Sequence, residues 1–112
     1  MPTKTTIPFD QGVFSITFTC VQWLPLIEVV QAYDLIYKWF AWLKANNHFI
    51  VGYVIMPNHL HVMIGFTKTE QTINTLIGSS KRFLAHDILK LLHAAGEAEV
   101  LSRLRRAVGQ EY

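Results

Sequence analysis

The chain has 112 residues, 51% of them apolar, 12% aromatic and 16% charged, with a formal net charge of +2. That length sets one domain with room for a core, and the apolar share excludes a disordered chain. No apolar run reaches the ~20 residues of a membrane-spanning helix, the first eight residues lack the apolar stretch of a signal peptide, and the single Cys20 excludes an internal disulfide and fits a reducing cytoplasm.

In chain order, the first pattern is an alternation. Phe14, Ile16, Phe18 and Cys20 fall on one side and Ser15, Thr17 and Thr19 on the other, which predicts a half-buried strand over Val13–Val21 with Cys20 as a buried structural thiol. Trp23-Leu24-Pro25 breaks it. From Leu26 to about Asn46 apolar residues recur every three to four positions (Val30, Tyr33, Ile36, Phe40, Leu43), so one helix is expected, ended by Asn46-Asn47. Phe49–Ile55 is apolar nearly throughout and reads as a mostly buried strand. Pro57-Asn58 suits a tight turn, and His59–Phe66 returns as the second arm of a hairpin. After the loop at 67–70, Thr69 or Thr72 caps a helix running to about His93, weakened near its middle by Gly78-Ser79-Ser80. Ala94-Ala95-Gly96 breaks the pattern, and Glu97–Val108 forms a last helix with its acids early and its arginines late.

This order of strand, helix, strand, strand, helix, helix is the front of a split β-α-β plan. An α+β, ferredoxin-like antiparallel sheet with helices on one face is the expected fold, lacking its closing strand. Net charge alone does not announce a nucleic-acid binder. Six of the ten basic residues, however, lie in the last third (Lys81, Arg82, Lys90, Arg103, Arg105, Arg106), compatible with phosphate contacts and equally with solvated helix faces.

The most informative residues are His59 and His61. On a strand, positions i and i+2 share a face, so the two imidazoles stand roughly 6.5–7 Å apart at Cβ and can converge on one ion, while Leu60, Val62 and Ile64 point into the core. Spacing alone favours two exposed or hydrogen-bonded histidines on a sheet face, and a metal would need at least one further ligand. Asn58 either orients His59 or serves only the turn. His48, His86 and His93 read as structural or solvated. The string Val54-Ile55-Met56-Pro57-Asn58-His59-Leu60-His61-Val62-Met63-Ile64 closely resembles the signature of the HUH (His-hydrophobic-His) single-tyrosine transposases, in particular the REP-associated tyrosine transposases and their insertion-sequence relatives. The opening strand Phe14–Cys20 and the helical stretch Thr75–Phe83 resemble the same family.

The resemblance implies a domain that binds a single-stranded DNA hairpin and cleaves and rejoins it through a phosphotyrosine, with His59 and His61 holding a divalent ion. Magnesium prefers oxygen ligands and manganese accepts imidazole more readily. Lys81, Arg82 and Asn58 are the residues it places against DNA. Of the four tyrosines, Tyr33, Tyr37 and Tyr53 stand at packing positions; Tyr112 lies at about the family's distance from the histidines, but the helix and Asn-Pro that follow the family's nucleophile do not follow it. The sequence therefore reads as the N-terminal portion of the family domain, with its catalytic helix missing. Two readings compete: a non-catalytic DNA-binding remnant of the same family, dimeric through its unpaired edge strand, or an unrelated ferredoxin-like module in which the histidine pair is incidental.

Overall fold

The structure, a computed structural model, describes residues 11–68 and 71–111. Its elements are β1 (Gly12–Thr19), a single tight turn over Val21–Trp23, α1 (Leu26–Val29), α2 (Tyr33–Ala45), β2 (Phe49–Met56), β3 (His59–Phe66), α3 (Ile73–Ala94) and α4 (Ala98–Glu111). The fold is α+β. Among the described residues the sheet has three antiparallel strands in the order β1-β3-β2, so the histidine strand is the central one.

Alternation decides the sheet's two faces. Ile16 of β1 and Leu60, Val62, Ile64 and Phe66 of β3 are buried together with Ile36, Trp39, Phe40 and Leu43 of α2 and Ile73, Leu76, Ile77 and Leu84 of α3. A smaller apolar cluster of Leu24, Leu26, Leu92 and Leu104 ties the turn and α1 to α3 and α4. Among the described residues the opposite face carries no helix. Val13, Phe49, Val54, Met56 and Met63 stand exposed there around the two histidines.

Two expectations are corrected. The helix expected from Leu26 to Asn46 is two helices, because α1 ends in a Schellman motif. Gln31 takes a left-handed φ of 53°, its N–H reaches Glu28 O (3.2 Å), and Ala32 N–H reaches Ile27 O (2.8 Å). Neither glycine nor proline marks the break; the burial of Ala32 against the core holds it. The same motif ends α2, with Asn47 at φ 69°, and α3, with Gly96 at φ 70°. The second correction concerns β2, which is mostly exposed rather than buried. It is an edge strand whose outward face meets no helix, and an extra residue, Val51, interrupts its register between Ile50↔Ile64 and Gly52↔Met63. Beyond this bulge Tyr53 and Ile55 turn toward the helices, while Val54 and Met56 turn outward.

At the start of α3 the cap is Thr72, whose hydroxyl accepts from Thr75 N–H at 3.2 Å. No helix among the described residues is long and apolar enough to cross a membrane.

Candidate functional site

The site is built at the hairpin end of the central strand. Met56 pairs with His59 across Pro57-Asn58, so the turn has two residues and keeps His59 at the first position of β3. Asn58 is not among the residues with positive φ. The preceding chain holds the turn in place: Pro57 O accepts from Ile27 N–H (3.0 Å) and Glu28 N–H (3.4 Å), and Asn58 O accepts from Cys20 N–H (2.9 Å). The free N–H groups at the start of α1 are thereby satisfied by the hairpin.

The backbone before α1 is strained. Gln22 and Trp23 both have left-handed φ, at 52° and 58°. Each costs about 1–2 kcal/mol for an L-residue. Trp23 N–H bonds to Cys20 O (3.0 Å), Leu24 N–H bonds to Val21 O (3.2 Å), and the buried Leu24 anchors the turn in the smaller core. The result is an indole 63% exposed whose ring meets His59 edge-on at 5.9 Å. The sequence marks Trp23 as a strand breaker and, with Trp39 and Trp42, as a ring able to stack on an unpaired base, without placing it beside the histidines. Its place beside the histidines follows from two backbone conformations that no residue type at these positions signals.

His59 and His61 lie on the open face with ring centroids 4.8 Å apart and planes at 83°. Each has its Nδ1 engaged. His59 Nδ1 donates to Asn58 Oδ1 at 2.6 Å, and the amide is oriented for this because Asn58 Nδ2 donates to Trp23 O at 3.4 Å. His61 Nδ1 pairs with Thr17 Oγ1 at 3.0 Å, from the residue directly across on β1. A histidine held this way through Nδ1 presents Nε2 to a ligand, the arrangement that outer hydrogen bonds impose at metal sites. Asn58 therefore orients His59 in addition to turning the chain. Among the described residues, no third histidine, cysteine, aspartate or glutamate joins the pair.

Other sequence-selected residues lie elsewhere. Lys81 packs its ammonium 5.4 Å from the Phe18 ring centroid on the helix-covered side of the sheet, and burial lowers its pKa from the ordinary lysine value. Arg82 is exposed and donates to Ser79 Oγ at 3.2 Å. Lys81 thus packs from the helix-covered side of the sheet, whereas His59 and His61 lie on the open face. Tyr37 and Tyr53 meet edge-on at 5.9 Å, and Tyr53 packs on Phe40. The bond from Tyr53 raises the Tyr37 pKa. With Tyr33, which packs on the core, these tyrosines lie on the side of the sheet opposite the histidines. Tyr112 falls outside the described residues. Cys20 is partly buried, and burial pushes its thiol pKa up, consistent with an inert structural thiol. His48 is buried (3% exposed), accepts Thr67 N–H on Nδ1 at 3.2 Å and packs on Phe66. No family model, no curated protein and no solved structure matches the chain.

Proposed function

We propose that the chain is a DNA-processing domain of the HUH single-tyrosine transposase type on a ferredoxin-like plan. It binds a single-stranded DNA hairpin across the open face of the sheet. The observation that carries this reading is the histidine pair itself: two rings 4.8 Å apart on a central strand, each tied through Nδ1 so that Nε2 is left for a ligand. His59 and His61 would hold a divalent ion, Mn²⁺ or Mg²⁺, as a two-ligand half-site whose remaining positions suit water and phosphate oxygens. When bound, such an ion polarises a scissile phosphate and offsets the charge that develops on it. Asn58 and Thr17 fix the ring orientations, and Trp23 offers an exposed indole on which an unpaired base can stack.

A second reading has its own support. Tyr33, Tyr37 and Tyr53 are separated from the histidines by the sheet, which favours a hairpin-binding domain without a nucleophile over a complete nuclease unless Tyr112 serves. The test is Mn²⁺-dependent cleavage of hairpin oligonucleotides on a denaturing gel that reveals covalent adducts, with His59→Ala and Tyr112→Phe alongside. An adduct lost in both variants makes Tyr112 the nucleophile. Hairpin binding without an adduct leaves the recognition domain. Absence of both Mn²⁺ binding and hairpin binding refutes the family reading.

A further inference from the structure

On the helical side of the molecule a cleft of about 370 Å³ opens between α2 and α3. Its floor is Trp39, only 4% exposed, whose Nε1 donates to Ser80 Oγ at 3.0 Å while Ser80 donates to Leu76 O at 2.9 Å. The indole is therefore pinned. Its walls are Trp42 from α2 and Phe83 from α3, which remain 48% and 51% exposed although both line the same concavity. Two large aromatic rings left open to solvent at one cleft cost hydrophobic stabilisation that burial would have returned.

Among the described residues that line the cleft, the charged side chain is a cation. Lys38 lines the cleft, and the Arg82 guanidinium stands at its edge, bonded to the lining Ser79. Among the described residues none of the lining side chains is acidic. A cavity of 150 Å³ holds a benzene ring, so this cleft has room for a larger flat ring with a substituent.

We propose that this cleft is a binding site for a nucleobase carrying a phosphate. The base stacks against Trp42 and Phe83, and the phosphate meets Lys38 and Arg82. The ligand is either a free nucleotide or an unpaired nucleotide within a strand. This site is separate from the histidine pair, which lies on the opposite face of the sheet, and it needs no metal.

The test is calorimetric titration in EDTA with dAMP, with a short oligodeoxythymidylate and with inorganic phosphate. Wild type is compared with Trp42→Ala and Phe83→Ala. Both substitutions truncate exposed rings, and far-UV circular dichroism checks that the variants fold. Each is expected to weaken binding about tenfold or more, as loss of a stacking platform does. Binding of dAMP assigns the site to free nucleotides; binding of the oligonucleotide alone, with the same loss in both cleft variants, assigns it to a strand. Three results overturn the proposal: neither nucleotide probe binds, phosphate binds as tightly as dAMP, or the cleft variants stay within about threefold of wild type.

Discussion

The bond between Trp39 and Ser80 gives a sharp test of how the helical layer is held. Ser80 lies in the middle of α3 beside Gly78 and Ser79, where its residue type argues against helix. Its hydroxyl nevertheless accepts the buried indole N–H of Trp39 and is itself bonded to Leu76 O. Ser80→Ala leaves that N–H buried without an acceptor, which costs about 1–3 kcal/mol. Alanine returns about 0.5 kcal/mol of helix propensity. The net expectation is a loss of about 0.5–2.5 kcal/mol. In a Trp39→Phe background no donor is left to orphan, so only the propensity gain survives and Ser80→Ala becomes neutral or stabilising by about 0.5 kcal/mol. Urea denaturation followed by far-UV circular dichroism on the four proteins of this cycle measures both values, and the coupling should reach about 1–3 kcal/mol. Equal effects of Ser80→Ala in the two backgrounds, within about 0.5 kcal/mol, would refute the claim that this hydrogen bond is made and buried.

Three further outcomes are expected. A Cβ on Gly65 would run into the Phe49 ring, so Gly65→Ala must lift that ring off the sheet; it should destabilise wild type by about 1 kcal/mol and have little effect once Phe49 is alanine, by thermal melts of both pairs. Gly96→Ala meets no atom within 4 Å but needs φ +70°, so it should cost about 0.5–1.5 kcal/mol on backbone grounds alone, whereas Gln31→Gly, at φ 53°, should be neutral or stabilising; loss of stability in Gln31→Gly would contradict the assigned motif. Burial holds His48 below its ordinary pKa, so the unfolded chain binds the extra proton first as the solution is acidified. The stability it contributes is then present above the unfolded value near 6.5 and falls as pH drops below it, with a slope of at most about 1.4 kcal/mol per pH unit; urea midpoints from pH 7.5 to 5 should show a drop that His48→Gln reduces.

The strands, the hairpin and the two long helices were legible because each carries its own period or cap. The alternation of Phe14, Ile16 and Phe18 against Ser15, Thr17 and Thr19 marked both the strand and its inner face, and the start of α3 was legible as Thr69 or Thr72, of which Thr72 is the cap. What escaped the sequence is conformation that residue type does not encode. Gln31 ends α1 in a geometry usually given to glycine, held by the burial of Ala32 and Ile27 on either side of it. β2 reads as a core strand by hydropathy alone, since Val51, Val54 and Met56 are as apolar as Leu60 and Val62. Only the strand order, which puts β3 in the middle, and the bulge at Val51 decide which of these are covered.

The candidate site divides along the same line. His59 and His61 are coupled by the period of a strand, so their shared face needed no tertiary knowledge. Asn58 could be read as turn or as orienting group, and it does both, because the one amide bonds Trp23 O with its nitrogen and His59 with its oxygen. Trp23 and Thr17 come from a segment some forty residues earlier and reach the histidines only through the β1–β3 register and the strained turn that follows β1. Rebuilding that turn is thus the structural way to separate the aromatic from the histidines without touching either. Gln22→Pro locks φ near −65° at a position that needs +52°, so the turn cannot keep its conformation. If the turn positions Trp23 for a base, this variant should weaken hairpin binding about as much as Trp23→Ala while leaving Mn²⁺ affinity at His59 and His61 unchanged. Hairpin affinity equal to wild type in both variants would mean that the indole beside His59 plays no part in binding.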